Sequence, residues 1–259
     1  LIKQPKFFIA ENVKGILSLG KGSAIKQIVS DFEAAGYIIS VHLVNMADYG
    51  VPQTRQRVII VGQRIDLGKE LHFRFPKPTH SKNGELLKWV SIKEAIDYLP
   101  ESNGENAVLN HIYSAYKVEF RNFTGHRKTD PDKPSPTILA RGNGQGGVCA
   151  IPHYNGKRRL AIRESASIQT FPENFHFLGA MNSCYRQIGN ADCLQDAQLL
   201  ADMIRERGAK DIIIEYYDLC TVSHVGPGTL ALFFWGKDRR SAEAATQPQP
   251  AGKTVPKNA

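Results

Sequence analysis

The sequence predicts an α/β fold whose central sheet is buried on both faces, interrupted by a long irregular insertion and followed by an appended strand-turn-strand segment. Three observations predict it. The amino-terminal part runs strand, helix, strand, loop, strand, and the strands are apolar throughout rather than alternating. The texture then changes: prolines at 76, 78, 100, 131, 134, 136 and 152 break every periodicity. Helical spacing returns only near residue 162.

Phe7-Phe8-Ile9-Ala10 reads as a short apolar strand running into Glu11-Asn12-Val13. Ser23 is suited to cap a helix whose apolar positions Ile25, Ile28, Val29 and Phe32 fall on one face, with Gly36 as its stop. Tyr37 to Val44 is β-branched-rich and reads as a strand, Ala47 to Gln56 as a polar loop, and Val58-Ile59-Ile60-Val61 as a strand closed by Gly62. In the proline-rich stretch one helix is expected, Ser91 to Leu99, because Ser91 followed by Glu94 forms a capping box. Ile162 to Thr170 is helical and stops before Pro172; Gln195 to Arg207 is helical as well. Asp211 to Glu215 and Leu230 to Trp235 read as two further strands, and the Gln-, Pro- and Ala-rich tail from Ser241 as disordered.

Composition narrows the function classes. Over 259 residues, 42% hydrophobic and 22% charged content is that of a globular protein. No uninterrupted apolar run approaches the roughly 20 residues of a membrane span, and Phe7 to Ala10 is too short for the apolar core of a signal peptide. A first residue other than Met suggests a chain cut from something longer. A net charge of +8 favours a polyanionic partner, since every phosphate neutralised releases counterions. Cys149, Cys184, Cys193 and Cys220 form no CxxC pair, which points to reduced thiols and a cytoplasmic location. The eight histidines show neither HxxxH nor HExxH, so no metal site is expected. Gly20-Lys21-Gly22-Ser23 lacks the spacing of a phosphate-binding loop and reads as a helix entry.

Four ordered segments carry a resemblance: Phe7-Phe8-Ile9-Ala10-Glu11-Asn12-Val13, Asp48-Tyr49-Gly50-Val51-Pro52-Gln53-Thr54-Arg55-Gln56-Arg57, Arg163-Glu164-Ser165-Ala166-Ser167-Ile168-Gln169-Thr170-Phe171-Pro172, and Gln187-Ile188-Gly189-Asn190-Ala191. Over about residues 5–191 they resemble the DNA cytosine-5 methyltransferases. The implied fold is part of a Rossmann-like methyltransferase sheet with a target recognition insertion. The implied division is core at 1–66, insertion at 67–157 and a return to the core at 158–191. The implied activity transfers a methyl group from S-adenosylmethionine to C5 of a cytosine flipped out of double-stranded DNA, in a restriction-modification setting.

The resemblance also assigns residues. In this chemistry a thiolate adds to C6, and the charge building on the ring is met by a carboxyl beside N3 and by guanidinium donors. The carboxyl is then Glu11 and the chief donor Arg57, both catalytic; Asn12, Gln53 and Arg55 fall to substrate binding, and Asn190 to the S-adenosylmethionine site. In the insertion, Arg127, Lys128, Lys133 and Arg141 are expected at phosphates, and Asn143 and Gln145 at base edges. Read as residues alone, Glu11 also suits a cap, Arg55 and Arg57 solvated loop charges, and Gly189-Asn190 a turn. Arg163 and Glu164 read most simply as helix-surface charges, Glu164 with a structural part.

The family's Pro-Cys nucleophile segment and Gly-rich cofactor loop precede the Glu-Asn-Val strand. Only ten residues precede Glu11 here, and none of the four cysteines follows a proline. The isolated chain is therefore expected to be inactive, as a fragment or as one half complemented by a partner. Past Ala191 the pattern departs, and Ser223-His224-Val225-Gly226-Pro227-Gly228-Thr229-Leu230 resembles the final strand of DegV-like fatty-acid-binding proteins over roughly 195–238, with His224 as the lipid contact. Residues 192–240 are read as a remnant of that kind. Two rival functions follow: a non-catalytic DNA-binding module, and a lipid-carboxylate binder.

Overall fold

The computed structural model describes residues 5–68, 73–101, 108–115, 118, 128–140 and 151–191, with the backbone of 231–234. The chain is mixed α/β with small sheets. Its elements are β1 (Phe7–Val13), α1 (Ser23–Ala34), β2 (Tyr37–Asn45), β3 (Gln53–Thr54), β4 (Gln56–Arg64), β5 (His80–Ser81), β6 (Leu87–Lys88), α2 (Ile92–Ile96), β7 (Ser135–Pro136), α3 (Ile162–Ile168), α4 (Met181–Asn190) and β8 (Ala231–Phe234).

The main sheet has the order β2-β4-β1-β8. β4 is antiparallel to both β1 and β2, so those two run parallel to each other, joined by the crossover through α1. Of the appended segment, only this strand's backbone falls within the described residues; it lies antiparallel to β1, with Ala231 opposite Glu11. The expected helix at 195–207, the strand at 211–215, His224 and the tail lie outside them.

Alternation along the strands sorts the side chains to two faces. One carries Phe8, Ala10, Tyr37, Val58 and Ile60 against Ile25, Ile28 and Phe32 of α1. The other carries Ile9, Val44, Ile59 and Val61 against Phe73 and Phe75. Burial on both faces, expected from continuous apolar runs, is complete at β4, where Val58 to Gln63 are all buried. It is incomplete on the edge strand β2, whose Val41 and Leu43 are exposed.

Two local expectations are corrected. Gly62 does not close its strand, which continues to Arg64. A Cβ there would lie 2.0 Å from the Phe8 ring, so glycine makes room for the aromatic core. Nor is Ser23 the cap of α1: the chain enters through Gly20, Lys21 and Gly22, all at positive φ, and Gly22 holds the cap position. The capping box of α2 forms as expected, Glu94 N–H donating to Ser91 Oγ at 3.2 Å and Ser91 N–H to Glu94 Oε2 at 2.7 Å, although the helix ends at Ile96.

A second core joins Ile92, Ile96 and Ile138 from the insertion to Ile162, Ile168, Phe177, Tyr185 and Ile188. The described part of the insertion and the segment after it thus share one apolar interior. α4 lies where the sequence suggested a turn. Gly189 lets it sit against the backbone of Leu139 and Ala140, since a Cβ would come within 2.3 Å of Ala140 N.

Candidate active site

The site is assembled from two neighbouring strands. Residues opposite one another on β1 and β4 share a face, and the register sets Glu11 against Ile59 and Val13 against Arg57. Glu11 and Arg57 are therefore diagonal neighbours on the Ile9–Ile59 face, within reach for long side chains. The structure brings them together: Arg57 Nε meets Glu11 Oε1 at 2.5 Å, with side-chain exposures of 12% and 14%. Arg57 Nη1 also donates to the Gln56 carbonyl at 2.9 Å, which fixes the guanidinium. A charge-assisted pair at this depth is little screened and geometrically defined.

The other expected substrate residues do not join this pair. Asn12 follows Glu11 in the strand and so faces the opposite side. It is 7% exposed, and its Oδ1 accepts from Val13 N–H at 2.8 Å, pinning the strand end. Gln53 is fully buried: its Nε2 donates to Gln169 Oε1 at 2.6 Å and its Oε1 accepts from Ile138 N–H at 2.9 Å. Arg55 is 2% exposed, with Nη1 donating to the Ile138 carbonyl and Nη2 to that of Ala191, both at 3.2 Å. Gln169 Nε2 donates to the same Ala191 carbonyl. These side chains knit the β3–β4 turn, the insertion, the end of α3 and the end of α4 into one knot. Their geometry is that of framework groups two residues or more before Arg57.

Arg163 and Glu164 are corrected in the same way, for neither is a surface charge; each is 1% exposed. The Arg163 guanidinium donates to the carbonyls of Leu109, Pro172 and Phe175 at 3.0, 3.2 and 2.5 Å. Glu164 receives both terminal nitrogens of Arg158, at 2.8 and 2.7 Å, and the Ala161 N–H at 2.7 Å. Glu101 takes Arg158 Nε at 2.9 Å, and that contact holds the Glu101 carboxyl below the usual carboxylate range. His153 lies 3.7 Å from Glu164, with burial pushing its imidazole down. Sequence reasoning missed Arg158 and Gln169 as framework residues; the Arg-Glu spacing across Arg158 and Glu164 was the available signal.

Asn190 is exposed at the last position of α4, and Lys128 and Lys133 are exposed in the insertion, Lys133 paired with Asp130 at 2.7 Å. Arg127, Arg141, Asn143 and Gln145 lie outside the described residues.

What decides the family is the match of residues 1–206 to the C-5 cytosine-specific DNA methylase model, over most of the chain. The chain belongs to the C-5 cytosine-specific DNA methylase family. Among curated relatives it is 39% identical over 212 residues to the Type II methyltransferase M.NgoFVII of Neisseria gonorrhoeae, covering 73% of this chain and 55% of that protein. It is 35% identical over 212 residues to M.BsuRI of Bacillus subtilis, covering 73% and 47%. The chain spans about half the length of these relatives. Solved structures agree in fold: a DNA modification methyltransferase encoded within an E. coli prophage superposes with TM-score 0.56 at 20% identity over 78% of this chain and 70% of that one. The S. pombe Dnmt2 methyltransferase gives 0.53 at 17% identity over 81% and 69%. In this family the methyl donor is S-adenosylmethionine. Glu11 and Arg57 thus sit in its Glu-Asn-Val and Gln-x-Arg-x-Arg segments, while the DegV-like resemblance finds no support in these matches.

Proposed function

We propose that this chain contributes the base-stabilising half of a DNA cytosine-5 methyltransferase active site of the restriction-modification kind. One observation carries the reading: the Glu11 carboxylate and Arg57 guanidinium, 2.5 Å apart on adjacent strands, form a single partly buried unit of acceptor and donors. Such a unit matches the N3 and O2 edge of a cytosine, with Glu11 holding a proton at N3 and Arg57 donating to O2. Without a base the two charges compensate each other, so neither is left unpaired in the cleft. The cytosine must leave the stack to reach them, which places double-stranded DNA as substrate. S-adenosylmethionine supplies the methyl group when bound; toward it the described residues offer Asn190, an exposed side chain at the end of α4 that fits one edge contact. In this reading residues 1–66 and 158–191 belong to the catalytic core, 67–157 is the recognition insertion, and the protein works in the cytoplasm.

The test mixes the chain with a Pro-Cys-bearing amino-terminal segment of a relative and measures labelled methyl transfer to mixed-sequence duplex DNA. Transfer is expected from the mixture and not from the chain alone. Glu11→Gln should slow it by about 100-fold while duplex affinity stays within about threefold, the signature of a group that acts in the transition state. Transfer unaffected by Glu11→Gln, or absent from every such mixture, refutes the assignment; transfer by the chain alone overturns the expected inactivity.

A further inference from the structure

Four of the described arginines are buried, and three of them have evident acceptors: Arg55 on two carbonyls, Arg158 on two carboxylates, Arg163 on three carbonyls. The fourth is Arg159. It is 4% exposed, and its Nε and Nη1 are both buried with no hydrogen-bond partner. A guanidinium cannot shed its charge as a lysine can, so burial without an acceptor is a strongly unfavourable state. Burial pushes its pKa down, Tyr185 being the only opposing influence. The position is specific. Arg159 bridges to Pro152, and Leu160 N–H donates to the Ile151 carbonyl at 3.1 Å, so Arg159 stands at the foot of the chain that leaves at Ala140 and returns at Ile151. Ala140 itself packs on Gly189 of α4, whose Tyr185 hydroxyl donates to the Leu160 carbonyl at 2.6 Å.

We propose that Arg159 is a phosphate-binding residue, and that the phosphate it takes is a phosphodiester of the DNA backbone. A guanidinium with unspent donors matches phosphate oxygens better than any neutral acceptor. The choice of DNA rests on the proposed function: the exposed Lys128 and Lys133 and the net charge of +8 draw a polyanion to this part of the chain. The remaining donors of Arg159 then fix its register, as phosphate contacts do.

The experiment compares the chain with its Arg159→Met and Arg159→Lys variants. Two ligands are used, inorganic phosphate followed by the thermal midpoint and a short mixed-sequence duplex followed by fluorescence anisotropy across a salt series. Phosphate should raise the midpoint of the parent and not that of Arg159→Met. The phosphate-free Arg159→Met chain should melt no lower than the parent, because removing an unpaired buried charge relieves the fold. Duplex affinity should fall about tenfold for Arg159→Met, with the salt slope reduced by about 1, and Arg159→Lys should recover part of the slope but less of the affinity. A phosphate-free Arg159→Met chain that melts well below the parent shows an internal partner and overturns the proposal, as does a parent that does not respond to phosphate. A lost phosphate response with unchanged duplex affinity overturns DNA as the source. If no variant binds duplex at all, the DNA reading fails while the phosphate arm still decides Arg159.

Discussion

Replacing Gln169 by Leu tests whether the family's Gln positions hold the fold or serve the substrate. Gln169 and Gln53 are both fully buried, 116 residues apart in sequence. The substitution removes the acceptor of Gln53 Nε2 and the donor to the Ala191 carbonyl. Each buried polar group left without a partner costs about 1–3 kcal/mol, and the added apolar surface offsets part of that, so the net loss should be about 2–4 kcal/mol. Gln53→Leu should cost a similar amount, about 2–4 kcal/mol by the same reasoning, since it strands the Ile138 N–H as well. The double variant should cost less than the sum by about 1–2 kcal/mol, because one shared hydrogen bond is counted in both single variants. Urea denaturation followed by circular dichroism measures all four proteins, with the slope checked for constancy so that a midpoint change reports stability. A Gln169→Leu loss below about 0.5 kcal/mol would place these amides outside the framework, because surface substitutions fall in that range. Strict additivity would show that the pair does not form.

Two further outcomes follow from single residues. Gly189→Ala should destabilise the fold by about 2 kcal/mol or more, since the new methyl meets backbone at 2.3 Å that no side-chain rotation can clear, and thermal melting of the chain should show it. His153 sets a pH dependence whose sign is fixed: burial lowers its folded pKa below the ordinary 6.5, with Glu164 partly opposing. The unfolded chain then binds more protons than the folded one just below that value, so stability is full above it and declines as pH falls toward the depressed folded pKa. His42, also lowered by burial, adds to the decline. Denaturation midpoints measured from pH 7 to pH 5 should fall less steeply for His153→Gln than for the parent, and equal slopes would exclude His153 as a contributor.

The parts of the fold that were legible from sequence are those whose cause is local. The apolar runs at Phe7–Ala10 and Val58–Val61, the spacing of Ile25, Ile28 and Phe32, and the Ser91–Glu94 box each carry their own signal. The Glu11–Arg57 pair was also legible, because it sits in two short motifs whose residue types serve one chemistry. What could not be read depends on partners far along the chain. Gln53 and Arg55 look like loop polars until Ile138, Gln169 and Ala191 arrive, and Arg163 looks like a surface charge until three distant carbonyls converge on it. α4 was hidden for a different reason: Asn182, Ser183 and Gly189 are poor helix formers, so packing through Cys184, Tyr185 and Ile188 holds a helix that propensity does not announce.

This division has a consequence for how recognition can vary while chemistry stays fixed. The separation of Glu11 and Arg57 is set by strand pairing, whose spacing of about 4.8 Å is a property of the backbone rather than of any loop. The insertion begins only after β4 ends and reaches back to that strand through buried contacts at its opposite end, Gln53 and Arg55, before Arg57. Irregular chain between those points can therefore lengthen, shorten or exchange its base-reading residues without moving the pair, provided that the carbonyl of Ile138, its N–H and the carbonyl of Ala191 still find their two partners. The motif residues that never touch a base thus decide whether a new recognition segment leaves the catalytic geometry intact.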